Sequence, residues 1–288
     1  MPKLPGRVSR LCILVVCLFV AASCSSWRQP EVRLDTGQEG APGVDPRLPF
    51  GNPSNAAADP ANRDNILLVK LSYVVSYNNS RGAPNWAAWR VSAADLGEGS
   101  ERPDFEPDPT LPPGFVRVTP SDYTGSGYDR GHLVPNADRY GSPQANAETF
   151  VMTNIVPQKG DLNRFPWERL ERYSRSIVRR GNDVYIIAGV YGEKGRLRGK
   201  VTVPTNCWKI VIVLPLGGQL VINPDTRVIA VDMPNREGIK EDNWRKYLTT
   251  VRDIEQKTGF DFFTTLPREL QDVLETRVDA ISQMNREE

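Results

Sequence analysis

The chain has 288 residues, with 36 Lys and Arg against 35 Asp and Glu, so its formal net charge is only +1. This balance excludes a protein that binds polyanions through its global charge, and any recognition of phosphate must therefore be local. The chain is long enough to fold around one substantial hydrophobic core.

The amino terminus has the pattern of an export signal. Two arginines precede an apolar run from Leu11 to Ala22, which is shorter than the about 20 residues that a membrane-spanning helix needs. Small residues then lead into Cys24, similar to the processing site of bacterial lipoproteins. We expect residues 1–23 to be a signal peptide and Cys24 to carry lipid. Ordinary signal cleavage, giving a secreted protein, is the alternative.

The segment that follows is predicted to be a tether. Residues 24–62 are rich in Pro, Gly, Asp, Asn and Ala, a composition typical of flexible linkers. Cys207 is the only cysteine beyond Cys24, so an internal disulfide is excluded and the core alone must stabilise the fold. We predict one domain over residues 63–284.

Hydrophobic patterning predicts the elements of this domain in chain order. Alternation predicts a strand from Leu67 to Val75 and a hairpin partner over residues 85–91, followed by a loop rich in proline and glycine over residues 95–125. Such a mixed order favours an α+β fold over a doubly wound sheet. Further predictions are a helix from Ser142-Pro143 to Glu148, a strand over 150–156, a helix over 165–180, strands over 184–190 and 207–213, and helices over 241–256 and 267–282.

Two polar blocks predict one functional site. The single histidine, His132, ends the run Asp129-Arg130-Gly131-His132. Imidazole has the unperturbed pKa nearest to neutrality, so His132 can act as a general base. The second block, residues 158–164, contains Asn163 and is followed by Trp167 and Glu171.

Together these blocks resemble the non-specific DNA/RNA endonucleases that have a ββα-metal site, the family of endonuclease G. The similarity covers about residues 64–275. It implies an α+β fold with a central, mostly antiparallel sheet flanked by helices. The motifs that carry it are Asp129–His132, Thr153–Ile155, Pro157-Gln158, Asp161–Asn163, Trp167 and Leu170-Glu171.

The resemblance implies a role for each residue of the site. His132 would be the base, and Asn163 would be the direct ligand of one divalent ion, Mg²⁺ or else Mn²⁺ or another. Arg130 and Arg102 would pair with the scissile phosphate. Glu171 would orient a water on the ion. For Asn163 a helix cap, and for Glu171 a surface carboxylate, are the structural alternatives.

Two residues are expected to support this site. Asp129 should bond the neighbouring backbone and an arginine, not the metal. Asn154 should either brace the imidazole through a hydrogen bond or simply fill a polar strand position. Basic residues also cluster over 164–180 and 194–200, where they form either solvated faces or phosphate contacts.

The sequence thus predicts an exported, Mg²⁺-dependent endonuclease that cuts DNA and RNA with little sequence preference and leaves 5′-phosphate ends. A lipid anchor would join it to a membrane. The alternatives are a catalytically idle nucleic-acid-binding surface lipoprotein and a phosphodiesterase for small substrates, which would need a closed apolar pocket. A homodimer is compatible with the sequence, which does not determine the oligomeric state. An imidazole base predicts rates that fall below about pH 6.5.

Overall fold

The computed structural model describes residues 30–34, 47–99, 102–215 and 220–280. Its strands are β1 (Val32–Leu34), β2 (Ile66–Val69), β3 (Val74–Asn78), β4 (Ala83–Val91), β5 (Asp129–His132), β6 (Ile155–Gln158), β7 (Asn182–Tyr191), β8 (Arg196–Leu197), β9 (Val201–Thr202), β10 (Asn206–Pro215), β11 (Leu220–Ile222), β12 (Val228–Pro234) and β13 (Leu248–Thr249). Its α-helices are α1 (Pro143–Glu148), α2 (Gly160–Leu162), α3 (Glu168–Arg179), α4 (Val251–Thr258) and α5 (Arg268–Thr276).

A seven-stranded sheet forms the centre, in the order β13-β12-β10-β7-β4-β3-β2, and each neighbouring pair is antiparallel. Its two faces bury separate apolar clusters because side chains alternate along a strand. On β7, for example, Ile186 and Ala188 join one cluster whereas Tyr185 and Ile187 join the other. Helix α3 covers the first face, and α4 and α5 cover the second. The predicted α+β fold is therefore confirmed.

The strand predicted from Leu67 to Val75 is wrong, because the chain reverses within it. Strands β2 and β3 form an antiparallel hairpin, and the backbone N–H of Lys70 donates to the carbonyl of Tyr73. Buried Lys70 pairs with Asp108 at 2.6 Å. This long-range ion pair fixes the turn where alternation alone suggested a continuous strand. The predicted partner over 85–91 lies in β4, which pairs with β3.

The predicted tether extends too far towards the carboxyl terminus. Leu48 and Phe50 are buried in the second cluster, and the Phe50 ring lies 5.0 Å from that of Tyr185. Trp86 donates a hydrogen bond to Ser54 at 2.8 Å. The folded unit thus includes residues 47–62, since a few large apolar side chains outweigh the polar composition around them. Strand β1, which lies within the predicted tether, also pairs with β11 of the folded unit.

The helix predictions have mixed outcomes. Helix α1 is confirmed, with the Ser142 side chain accepting from the backbone N–H of Ala145. The helix predicted over 241–256 is wrong in its first half, where a short 3₁₀ helix (Trp244–Tyr247) leads into β13; α4 begins only after the capping residue Thr250. The helix predicted over 267–282 ends at Thr276.

The predicted signal peptide and Cys24 lie outside the described residues. Within the part of the chain that is described, no helix combines the length and apolar character needed to cross a bilayer.

Candidate active site

Strands β5 and β6 and the following helix form a small ββα unit. The strands are antiparallel, with Asp129 opposite Gln158 and His132 opposite Ile155. The strand predicted over 150–156 therefore begins later than expected, because Met152–Asn154 form a 3₁₀ turn before β6. This unit packs on the same face of the sheet as α3.

The site helix begins at Gly160, five residues before the predicted start at residue 165. A wide π turn over Asn163–Trp167 accommodates Pro166 and connects α2 to α3. Such turns are frequent at functional sites. Asn163 has helical backbone angles, φ −59° and ψ −45°, inside this segment. Asn163 is the last, capping residue of α2, where its backbone N–H donates to the carbonyl of Gly160, and the helical path continues through it, which leaves its side chain available for another role.

Gly131 allows the two strands to approach each other. A Cβ at this position would lie 2.0 Å from Oε1 of Gln158, and Gln158 is fully buried with its Nε2 donating to Cys207 Sγ at 3.4 Å. The glycine between Arg130 and His132 is thus required by packing.

Gly131→Ala should lower the free energy of unfolding by about 1–3 kcal/mol, the usual cost of overpacking a buried site. Gly160→Ala is the matched control, since its Cβ would meet no atom closer than 3.6 Å. Urea denaturation of both variants measures the effect. Equal stability of Gly131→Ala and wild type would contradict this account of the glycine.

His132 lies between two phenylalanine rings. Its ring centroid is 5.3 Å from that of Phe105 and 5.0 Å from that of Phe150, the latter in an edge-on arrangement. Among the described residues Nε2 is buried without a hydrogen-bond partner. Burial and, secondly, the charge of Arg102 lower the pKa of His132 to about 3. The imidazole is therefore neutral, as a base must be.

This pKa changes the expected pH dependence. The neutral form of His132 is the active one, and the lowered pKa keeps that form populated as the pH falls. The decrease of kcat/KM on the acid side that is due to His132 should therefore lie below pH 5. An unperturbed imidazole, with a pKa of about 6.5, would instead lower kcat/KM by about 25-fold between pH 7 and pH 5. Since kcat/KM reports on the free enzyme, a pH profile at low substrate concentration distinguishes the two. A midpoint near 6.5 would contradict the lowered pKa.

Two arginines flank the histidine. The guanidinium carbon of Arg130 lies 4.7 Å from the centroid of the Phe105 ring, and that of Arg102 lies 5.5 Å from Phe150 and 5.8 Å from Phe105. Both are exposed and line one cleft of about 470 Å³ together with Pro103, Asp104, Phe105 and Pro120. The structure therefore brings Arg102, Arg130 and His132 together around Phe105.

Asp129 holds the side chain of Asn163. It accepts a hydrogen bond from Asn163 Nδ2 at 3.0 Å and two from Arg164, at 2.8 and 2.6 Å. Burial would raise the pKa of Asp129, but these hydrogen bonds outweigh it and the pKa is lowered. The arginine that pairs with Asp129 is Arg164 and not the adjacent Arg130. Because the carboxylate only accepts, the amide nitrogen of Asn163 must face it, and Oδ1 is left for another ligand.

Asn154 does not brace the imidazole. Its Nδ2 donates to the carbonyls of Val134 and Thr149, both at 2.9 Å, and its Oδ1 accepts from the N–H of Val134 at 3.0 Å. The predicted bond to the ring is wrong, because the buried amide satisfies backbone groups instead. Asn154 thus fixes the chain just after His132.

Glu171 lies in a buried charge network. Its Oε1 accepts from Nζ of Lys209 at 3.1 Å, and their side chains are only 11% and 1% exposed. Burial raises the pKa of Glu171, although Lys209 and Arg175 act in the opposite direction. The alternative of an ordinary surface carboxylate is wrong. Within the described residues no donor reaches Oε2, which leaves one oxygen for water.

The side chains of the site could hold only a sparsely ligated metal. In the described ranges no three His, Cys, Asp or Glu side chains form a group that could bind an ion. Asn163 Oδ1 is a hard oxygen donor held in place by Asp129. This donor set fits Mg²⁺, which dehydrates reluctantly and keeps several waters.

Sequence reasoning missed the neighbours that hold the site. Phe105 and Phe150 flank His132, Arg164 clamps Asp129, and Lys209 pairs with Glu171. Two of these residues had a signal, since Arg164 ends the second polar block and Lys209 is a charged residue within the apolar run of β10. Nothing local in the sequence indicates the phenylalanine contacts.

Comparison with known proteins gives the family. The profile of the DNA/RNA non-specific endonucleases matches residues 51–269, well over half of the chain. The chain belongs to this family. It is 47% identical over 242 residues to a nuclease of Nostoc sp., covering 83% of this chain and 88% of that protein. It is 32% identical to nuclease C1 of Cunninghamella echinulata, over 78% of this chain and 90% of that protein.

Endonuclease G of human mitochondria is also 32% identical, over 68% of this chain and 69% of that protein. Among solved structures, EndoG in its complex with EndoGI superposes with a TM-score of 0.64 at 23% identity, covering 78% of this chain and 92% of that one. That likeness confirms the ββα-metal fold. Membership of the family makes this chain a nuclease that acts on DNA and RNA without sequence specificity.

Proposed function

We propose that the protein is an exported, divalent-metal-dependent endonuclease that hydrolyses DNA and RNA and leaves 5′-phosphate ends. The observation that carries this proposal is the placement of His132, Arg102 and Arg130 around the Phe105 ring. A neutral base thereby lies behind the Phe105 wall of a cleft that the two guanidinium groups line. A matching arrangement is what in-line attack of water on a phosphodiester requires.

His132 takes the proton from the attacking water at Nδ1, since Nε2 is buried. The water oxygen bonds to phosphorus as the bond from phosphorus to O3′ breaks, and a second water molecule gives its proton to the departing O3′. The phosphate therefore stays on the 5′ fragment end. Arg102 and Arg130 pair with the phosphate oxygens through their planar forks.

A divalent ion, when bound, supplies positive charge for the phosphate and the departing oxygen. Asn163 would hold Mg²⁺, or Mn²⁺, through Oδ1. Glu171 positions a water through Oε2, because Lys209 already occupies its other oxygen. The rigid ion pair supports this role, since orienting groups must themselves be held.

A gel assay tests the proposal. Plasmid DNA and a structured RNA should both be degraded with Mg²⁺, and chelator should prevent this. The DNA fragments should be ligatable without a kinase step, because ligase needs a 5′-phosphate. Full cleavage after verified removal of metal would contradict the metal dependence. Fragments that must be phosphorylated before ligation would contradict the 5′-phosphate ends.

The same assay separates the alternatives. A catalytically idle surface lipoprotein would bind nucleic acid without cutting it. A phosphodiesterase for small substrates would need a closed apolar pocket, whereas the cleft beside His132 is lined by two arginines and an aspartate. This lining favours a polyanionic substrate.

Export and anchoring rest on the leader sequence. Cys24→Ala, expressed in a bacterial host with residues 1–23 intact, should block lipid attachment and move the protein from the detergent phase to the aqueous phase, because stable anchoring needs acyl chains. Wild type serves as the control. Equal partitioning of both proteins into the aqueous phase would indicate a secreted enzyme with an ordinary signal peptide.

A further inference from the structure

A basic surface lies next to the ββα unit and has no part in the chemistry described above. The segment 192–200 contains four cations and one acid, Glu193. It contains β8 and the turn that leads into β9, and Leu197 of β8 pairs with Val201 of β9. The cations are Lys194, Arg196, Arg198 and Lys200.

A small apolar cluster fixes this hairpin to the catalytic unit. Leu197 and Val201 are buried with Ile155, the residue opposite His132 in the β5–β6 pairing. Phe105 and Tyr128 pack against the same cluster. The hairpin is therefore held rigidly relative to the cleft.

Two of the four cations form no ion pair with a carboxylate of the described residues. Arg196 pairs with Glu193 and Lys200 with Asp122. In contrast, no carboxylate of the described residues pairs with Lys194 or Arg198, which donate to the backbone carbonyls of Asn235 and Thr124. A carbonyl orients a cation but leaves its charge available to an anion.

Lys159 extends the surface towards the reaction centre. Its Nζ lies 4.3 Å from the centroid of the Tyr128 ring, and that of Lys194 lies 5.8 Å from the same ring. The only acidic partner described for Lys159 is Glu237, which is 62% exposed. Two ammonium groups over one ring repel each other, and this repulsion is relieved when an anion binds between them.

Arg198 occupies an unusual backbone conformation at the hairpin tip. Its φ is +47°, and that of Gly199 is +67°. The N–H of Lys200 donates to the carbonyl of Leu197 at 2.8 Å, closing the turn. Two central residues with positive φ favour Asn-Gly, so an arginine in the first position is against local preference. Such positions concentrate at functional sites.

We propose that Lys159, Lys194 and Arg198 form a phosphate-binding surface that holds the substrate strand beyond the scissile phosphate; this rests on the proposed nuclease function. Tyr128 and Lys159 lie just beyond the end of the β5–β6 pair away from His132, four residues and about 13 Å along the strand. That distance is about four nucleotides of a duplex strand. Lysine covers the Tyr128 ring, so the surface contacts phosphates and not bases, which suits a nuclease without sequence preference.

The test uses Arg198→Asn combined with Lys194→Gln. Asparagine tolerates positive φ, so the turn is retained while the charge is lost. Binding of a fluorescent 20-nucleotide DNA is measured in chelator, where no cleavage occurs, over a series of salt concentrations. The double variant should bind about 10-fold more weakly at 0.15 M salt, and the slope of log K against log[salt] should become shallower by about 1 to 2.

Arg268→Asn is the matched control, because this exposed arginine lies on α5, across the sheet from the site; its slope should equal that of wild type. Cleavage of a length series with Mg²⁺ is the second measurement. The loss in the double variant should grow at least five-fold between dinucleotides and 12-nucleotide substrates. An unchanged salt slope, or an equal loss of cleavage rate at every substrate length, would overturn the proposed phosphate-binding surface. If wild type binds DNA but cuts nothing, only the nuclease proposal is overturned.

Discussion

Replacing His132 by alanine should lower kcat on plasmid DNA by about 10²–10⁴-fold, the usual contribution of a positioned general base. The ring is held between Phe105 and Phe150, and burial lowers its pKa, which favours the neutral form that a base requires. No other histidine exists in the chain to replace it. Initial rates at saturating substrate measure the loss.

Binding provides the control for this variant. DNA affinity in chelator should remain close to that of wild type, because Arg102 and Arg130 still line the cleft and the alanine removes no charge. The melting temperature verifies folding. If the variant folds and turns over at the wild-type rate, His132 has no part in proton transfer.

Replacing Asn163 by alanine should abolish cleavage supported by Mg²⁺. In the described part of the chain no cluster of acidic or histidine side chains can take over an ion, and an ion with few protein ligands has no spare one. A titration with MgCl₂ up to a large excess measures this, and added metal should not restore the rate.

Two neighbouring substitutions provide graded controls. Glu171→Ala should cost about 10–100-fold and recover partly with excess metal, as expected for a residue that acts through water. Arg164→Ala removes the other partner of Asp129 but leaves its bond to Asn163, so its effect should be the smallest. Full activity of Asn163→Ala at ordinary metal concentration would eliminate Asn163 as the ligand.

The local patterns that worked are those whose cause is local. Ser142-Pro143 predicts the start of α1 because the cap acts within one turn. The long apolar runs of β7 and β10 predict central strands, since both faces of the sheet are covered. The patterns that misled are those set by distant residues, such as Lys70, whose buried partner is 38 positions away.

The sequence by itself determined the family, the α+β class and the set of polar residues that form the site, because motif spacing and side-chain chemistry are written along the chain. Only the tertiary structure decided how these residues are used. In the folded protein the Asn154 side chain hydrogen-bonds to backbone groups, and Glu171 pairs with Lys209. The tertiary structure also buried residues 48–50 and enclosed His132 between two aromatic rings. Each outcome depends on burial and on partners far apart in sequence, which determine the cost of leaving a polar group unpaired.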